Sequence, residues 1–485
     1  MITFFIALAV LIVGYLIYGK IIERLFGADP KRETPAITMA DGVDYVPMKP
    51  WRIFLIQFLN IAGVGPIIGA IMGAKFGTAS FLWIVFGSIF AGAVHDYLSG
   101  MISLRTKGAS LPEIHGMHLG NGMKQFMRGF TVLLMILVGA VFVKVPAGLI
   151  VTKFTQEWSP YIWVVIILAY YMIATLLPID KLIGKIYPVF GFLLLGMAVA
   201  LFVAFIVNNP AIPEVFDGVQ NTYPDPVKHP IFPMMFISIA CGAISGFHAT
   251  QSPLMARCMV NEKQGRPIFY GAMITEGVVA LIWAAAAAYF FGPESPQPIK
   301  AGTEGAEIVR IIAEKWFPGV IAVITVLGVI SAAITSGDTA LRSARLIVAD
   351  FIHYDQKPIK NRLIVALPIF AMTGAILVWS FINKDSFEIL WRYFAWANQV
   401  LAMVTLWAIT VYLAKEKKKY IFSLIPAMFM TMVTMTFIIE FPTSEYNENI
   451  GLSATMAPIV AGCITILFTV LFFNFCRKNN NALKS

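Results

Sequence analysis

The sequence predicts an all-α polytopic membrane protein, and three observations predict it. Of 485 residues, 58% are hydrophobic and only 13% are charged, with a mean hydropathy of +0.77. Soluble domains carry about a quarter charged residues. Crossing a hydrocarbon core of ~30 Å takes about 20 apolar helical residues, and such runs recur along the whole chain. Two of the runs are interrupted in corresponding places. Phe58 to Gly77 contains Gly63, Gly65, Pro66 and Gly69. Phe232 to Pro253 begins as an apolar helix, then places Gly242, Ser245, Gly246, His248, Thr250, Gln251 and Ser252 where helical character is expected to fail. Backbone groups freed in hydrocarbon are costly unless protein or a wet cavity answers them.

About thirteen spans meet the length criterion. They lie near 2–22, 51–75, 79–105, 127–150, 161–178, 187–208, 231–250, 268–291, 319–347, 362–382, 391–413, 421–440 and 454–475. The first resembles a signal-peptide core, but no small-residue cleavage site follows, so it reads as a retained helix. The second and seventh are the interrupted ones. The third carries His95 and Asp96, the fourth Lys144, the eighth Glu276, and the ninth Asp338 and Arg342. The fifth and sixth are plain apolar runs, and the sixth ends at the proline-rich stretch 209–230.

The basic residues alternate from loop to loop. Arg24, Lys31, Arg32 and Lys49 follow the first span, and Arg105, Lys107, Lys124 and Arg128 the third. Lys181 and Lys185, then Arg257, Lys263 and Arg266, then Lys357, Lys360 and Arg362, continue the series. Lys415 and Lys417 to Lys419 close it, with Arg477 and Lys478 in the tail. The intervening loops hold only Lys75, Lys153, Lys228 and Lys384, and none in 441–453. Loop 292–318 blurs the pattern with Lys300, Arg310 and Lys315, but it also holds four glutamates. Cytoplasmic loops are the positive ones, so the N-terminus is expected outside and the C-terminus in the cytoplasm. The net charge of +9 is thus a topology signal rather than a nucleic-acid patch.

Five spans separate the starts of the two interrupted ones, and these enter from opposite sides. Spans 2–6 and 7–11 therefore form a 5+5 inverted repeat, the LeuT-like arrangement, in which paired broken helices mark a carrier's binding site. The expected organisation is 1–50, an extra helix and cytoplasmic loop; 51–208, the first repeat; 209–230, a periplasmic linker; 231–414, the second repeat; and 415–485, two extra helices and a short tail.

The breaks are the expected substrate site. One offers Asn60 and the backbone of Gly63, Val64, Gly65 and Pro66; the other offers Ser245, Gly246, Phe247, His248, Thr250 and Gln251. Half-helix N-termini suit a carboxylate, and free carbonyls suit a cation. The plainer alternative is a proline kink with close glycine packing. In the ninth span, Ala332, Thr335 and Ser336 have the A-x-x-T-S spacing that sodium-coupled carriers of this architecture set against their first broken helix. With the backbone at Ala62, and with Asp338 nearby, they are the expected coupling-ion group. The alternative is that both hydroxyls bond back to their own helix.

Ionisable groups inside spans are functional candidates by default. Lys144 at substrate depth would complement a carboxylate, and His95, Asp96 and Glu276 are candidates for a proton relay. The duller readings are that Lys144 snorkels outward, Asp96 meets Arg105, and Asp338 pairs with Arg342. The four cysteines (Cys241, Cys258, Cys463, Cys476) lack CxxC or metal spacing, so no disulfide framework, no zinc site and no cofactor is expected, Na+ being the one metal considered. His115 and His118 are spaced loosely like ligands but lack a third. No HExxH, G-x-S-x-G or P-loop lysine suggests an enzyme. A membrane-embedded metabolite sensor is the alternative to a carrier, but it would need a larger cytoplasmic surface than these short loops give.

The stretches AGVGPIIGAIMGAKFG, FAGAVHDYLSGMISLRTKGASLPEI, FPMMFISIACGAISGFHATQSP, TSGDTALRSAR and WRYFAWANQVLA span 62–402. In them the sequence resembles the carbon starvation protein (CstA) family of peptide and pyruvate carriers. The resemblance implies a proton- or sodium-driven symporter of the amino acid–polyamine–organocation superfamily in the bacterial inner membrane. It would import short peptides or a 2-oxo acid such as pyruvate by alternating access, with membrane lipid as its other partner and no nucleic acid.

Overall fold

A computed structural model describes residues 1–482 except 43, 178, 293–294, 296–298, 301–302, 304, 318, 383–385 and 441–451. Lys384 and most of loop 441–453, used above for topology, lie outside the described residues. Among the described residues all regular structure is helical. The first half runs through α1 (Ile2–Phe26), α2 (Pro50–Ile61), α3 (Gly65–Ala74), α4 (Ala79–Arg105), α5 (Leu111–Leu119), α6 (Asn121–Phe154), α7 (Pro160–Leu176) and α8 (Ile179–Asn208). Next come α9 (231–238), α10 (Gly246–Ala256), α11 (Glu262–Phe291), α12 (Gly305–Trp316) and α13 (Gly319–Ile352). The chain ends with α14 (Ile359–Ile382), α15 (Ser386–Lys415), α16 (Ile421–Glu440) and α17 (Met456–Ala482).

Ten of these helices are long and apolar enough to cross a membrane, or eleven if the bent pair α2–α3 is one span. Of the other expected spans, 161–178 is the shorter apolar helix α7, and 231–250 is divided between α9 and α10. Burial separates centre from rim. The apolar stretch of α15 is 94% inside the protein, and those of α4 and α11 are 78% inside; for α1, α8 and α17 the figures are 33%, 33% and 22%. The central helices are therefore the ones that can carry polar side chains away from lipid.

Two short helices lie in stretches expected to be loops. α5 follows Ser110 and has proline in its first turn, which suits a helix start because that N–H has no intrahelical partner. α12 buries Ile308, Val309, Ile312 and Ala313 on one face. Its Arg310 pairs with Glu307 and Glu314, and Glu314 also meets Lys153 at 2.8 Å. Of the basic residues that blur the charge pattern, Arg310 is thus paired within one amphipathic helix.

Both interrupted segments are broken. α2 ends at Ile61, Ala62 leaves the helical region (φ −77°, ψ 56°), and the chain resumes at Gly65 with a 55° bend. The second break needs a correction. The unwound residues are 239–245, with Gly242 in the left-handed region (φ 83°), whereas Gly246–Gln251 form the first turns of α10. Ser245 is extended (φ −148°, ψ 124°) and starts that helix. The polar run is compatible with helix because every residue from Gly246 to Ala256 is buried in protein, not lipid.

Gly246 lets α10 start directly against α15. A Cβ there would fall 2.4 Å from the Ala402 amide nitrogen and 2.5 Å from the Asn398 carbonyl oxygen, backbone atoms that cannot rotate away. Gly246→Ala should therefore cost about 1–3 kcal/mol or more through overpacking. Gly122→Ala, where a Cβ meets nothing within 4 Å, should be neutral or slightly stabilising. Thermal unfolding in detergent, followed by size-exclusion chromatography, checks this; equal midpoints for the two variants would contradict it.

Candidate functional site

The two breaks face each other. A Cβ at Gly65 would lie 2.4 Å from both Cβ and Sγ of Cys241, so a hydrogen at position 65 is what allows the approach. Gly242 faces Pro66 across the same junction.

Unwinding frees backbone groups, and neighbouring helices answer them. Asn398 on α15 donates from Nδ2 to the Ala240 carbonyl (2.9 Å) and accepts the Phe247 amide on Oδ1 (2.7 Å). The same side chain contacts the Ser245 hydroxyl at 3.0 and 3.1 Å. Gln399 donates to the Phe236 carbonyl (3.1 Å), and Ser88 on α4 donates to the Gly242 carbonyl (2.8 Å). At the other break, Thr335 and Ser336 on α13 both donate to the Leu59 carbonyl, at 3.1 and 3.0 Å. Leu59 lies near the end of α2, three residues before Ala62. Thr335 also reaches the Ser331 and Ala332 carbonyls of its own helix, as the back-bonding alternative expects, whereas Ser336 bonds Leu59 across the helices.

A chain of ionisable groups runs beside the junction. His248, in the first turn of α10, sets Nδ1 2.8 Å from Asp96 Oδ2 and Nε2 3.2 Å from Glu276 Oε2. Asp96 Oδ1 lies 2.7 Å from His95 Nδ1. All four side chains are fully buried, and they come from α4, α10 and α11. As an acceptor of both bonds, the Asp96 carboxylate fixes the proton on Nδ1 of each ring. His248 Nε2 and Glu276 are close but not aligned as a hydrogen bond, and both Glu276 oxygens lack a hydrogen-bond partner. The structure thus joins His95, Asp96, His248 and Glu276, with Cys241 Sγ within 4.8 Å of His248 and Glu276 ligand atoms.

Other expected residues divide. Asn60 is buried and neither atom of its amide has a hydrogen-bond partner. Thr250 donates to the Phe247 carbonyl (2.6 Å) and accepts from Gln251 Nε2 (2.8 Å), leaving Gln251 Oε1 unanswered. The Phe247 ring packs edge-on to Phe142. Lys144 turns toward α14, donating to the Ser380 carbonyl at 2.7 Å and lying over the Phe381 ring. Asp338 accepts from Tyr187 (2.7 Å) and Tyr170 (3.1 Å), while Arg342 donates to the Ala174 and Leu177 carbonyls. Arg105 pairs with Glu262 rather than Asp96, and His115 bonds Thr405, apart from any ligand group. Asn398, Gln399 and Ser88 were not anticipated; the available signal was two consecutive amides in an otherwise apolar span.

Facing helix breaks with a buried polar core, in a multi-pass helical membrane protein, are the features that any functional class must account for. The fold is shared with a solved structure: that of a manganese transporter of Eremococcus coleocola superposes with a TM-score of 0.58 at 13% identity, covering 91% of this chain and 99% of that one. The chain belongs to the carbon starvation protein CstA family, which matches residues 1–159, 147–312 and 295–437. The peptide transporter CstA of Bacillus subtilis is 25% identical over 96% of this chain and 94% of its own length. An uncharacterized membrane protein of Haemophilus influenzae is 44% identical over 64% of this chain and 96% of its own. The pyruvate/proton symporter BtsT of Escherichia coli is 29% identical over 58% of this chain and 48% of its own.

Asn398→Ala would orphan the Ala240 carbonyl and the Phe247 amide, at about 1–3 kcal/mol for each buried group. Asn398→Asp keeps the acceptor for the Phe247 amide but sets a buried carboxylate oxygen against the Ala240 carbonyl, so at neutral pH it should be destabilised as well. Thermal midpoints in detergent should fall below wild type for both Asn398→Asp and Asn398→Ala; midpoints equal to wild type would contradict the role given to this side chain.

Proposed function

We propose that this protein is a symporter importing small carboxylates, pyruvate-like 2-oxo acids or short peptides, coupled to protons through His248. The observation that carries the reading is the buried Asp96–His248–Glu276 chain beside two facing helix breaks. Burying an unpaired charge is expensive. A substrate carboxylate entering this site with one proton leaves the net buried charge unchanged. Entering alone, it adds a negative charge beside two carboxylates. The penalty for uncoupled entry is the coupling.

The carboxylate would sit at the start of α10, near the backbone amides of Gly246 and Phe247, with His248 as donor. Asn60, Gly63 to Pro66, Ser245, Thr250 and Gln251 would line the rest. Unanswered polar atoms on Asn60, Gln251, His248 and Glu276 support this reading, because buried polar groups normally find partners. His95 would extend the relay. Lys144 would act at the outer end of α6 rather than at the break, and Asp338 would hold α7 and α8 through its tyrosines. The Thr335, Ser336 and Leu59 group is the sodium alternative. It ranks second because the Leu59 carbonyl, the backbone oxygen of that group, is already answered by both hydroxyls.

In this reading thirteen spans cross the inner membrane, with the N-terminus outside and the C-terminus in the cytoplasm. Residues 51–208 and 231–414 are LeuT-like inverted halves joined by the linker 209–230, with 1–50 before them and 415–485 after. The first span of each half is the broken one, and rocking of one set of helices against the other would expose the junction alternately.

Proteoliposomes loaded at defined pH and given labelled pyruvate or dipeptide test the proposal. Uptake should rise with an inward proton gradient, not with a sodium gradient, and should fall to the level of empty vesicles in His248→Gln. Stimulation by sodium alone would move the coupling to Thr335 and Ser336. No response to either gradient would remove the symport mechanism.

A further inference from the structure

We propose that Cys241, His248 and Glu276 form a binding site for one borderline-soft divalent cation of the zinc class, placed where the two broken helices meet. Their ligand atoms, one sulfur, one imidazole nitrogen and one carboxylate oxygen, lie within 4.8 Å of one another and all three residues are buried. Tetrahedral zinc, with bonds of about 2.0–2.3 Å, sets its ligand atoms roughly 3.5 Å apart. The three side chains need close by only about an ångström. Cys241 is on an unwound segment, which can move by that much more readily than a helix.

Three further features fit a cation. First, His248 Nε2 and both Glu276 oxygens lack a hydrogen-bond partner although fully buried, and Cys241 Sγ makes only long contacts, to Ser245 Oγ at 3.4 Å and from Asn398 Nδ2 at 3.6 Å. Second, Asp96 accepts the His248 Nδ1 proton at 2.8 Å. Once its own proton has left, Nε2, 3.2 Å from Glu276, would offer its lone pair to the space shared with Cys241. The Asp96–His248 pair is the carboxylate–histidine arrangement that orients imidazole ligands on metals. Third, the charge balances. Before binding, a neutral thiol, an imidazolium and two carboxylates sum to −1. Afterwards a divalent cation, a thiolate, a neutral imidazole and two carboxylates again sum to −1. The thiol proton and the Nε2 proton leave to water, so the buried charge is conserved. Three protein ligands leave a fourth coordination position unassigned, which is the pattern of a site that admits an outside ligand.

The site and the proton path exclude each other, because Nε2 holds either the metal or a proton. The proposal does not depend on transport: occupancy is measured on the purified full chain in detergent, with no gradient. Titration with Co2+ should show a single site with thiolate-to-cobalt charge-transfer absorption, displaced by Zn2+. The band should vanish in Cys241→Ser and persist when Cys258, Cys463 and Cys476 are all replaced by serine. Glu276→Gln and Asp96→Asn should each weaken Zn2+ binding by about ten-fold or more. No charge-transfer band in the wild type, a band surviving in Cys241→Ser, or no band in the triple variant would each overturn the site. Loss of gradient-driven uptake in the vesicle experiment would leave these readings untouched.

Discussion

Every polar backbone group in a hydrocarbon interior must be answered by protein, and this molecule opens its backbone twice at one place. That demand organises the structure around it. The Ala240, Gly242 and Phe236 carbonyls require donors, and Asn398, Ser88 and Gln399 supply them from α15 and α4. The Leu59 carbonyl requires one, and α13 brings two hydroxyls. α15 and α4, which carry the two amides and Ser88, are among the most deeply buried helices, because an amide or hydroxyl facing lipid would incur the cost it is there to remove. Glycine at 65 and 246 then brings the opened segments within contact of each other and of α15.

The ionisable chain follows from the same geometry. His248 can lie between Asp96 and Glu276 because α10 begins just after the break, which aims its first turn at α4 and α11. Two carboxylates and two imidazoles at 2.7–3.2 Å, all excluded from water, form one connected unit in which the charge of each group acts on its neighbours. Such a unit can accept a proton with an anion, or a divalent cation for two protons, without changing its total charge. Both proposals above use that one property, the first for coupling and the second for metal binding.

Much of this was legible in the sequence, for physical reasons that can be stated. Glycine, proline and clustered polar residues in a 20-residue apolar run advertise a break, and the first break, Ala62 to Val64, falls at the front of the Gly63–Pro66 cluster. The second break lies upstream of its polar run, because Gly246–Gln251 is helix as long as protein surrounds it, and burial is not written in local composition. His95, Asp96, His248 and Glu276 were each conspicuous as rare ionisable residues in apolar spans, but three separate helices carry them and no spacing rule joins them. Lys144 and Asp338 were equally conspicuous, yet they serve α14 and the tyrosines of α7 and α8. Cys241, His248 and Glu276 escaped a motif search for the same reason: their nearness is tertiary. Asn398 and Gln399 could have been flagged, since two adjacent amides in an apolar helix must have something to bond.

The central claim is that the junction of the breaks is a working cavity and not sealed packing. Cys241 reports on it directly, being the native thiol that lies between Gly65 and His248. With Cys258, Cys463 and Cys476 replaced by serine, membrane vesicles are treated with a small hydrophilic alkylating reagent, with and without pyruvate or dipeptide. The account predicts that Cys241 is labelled and that substrate slows labelling in a saturable way. A Cys241 that remains unlabelled under every gradient and substrate condition would contradict it.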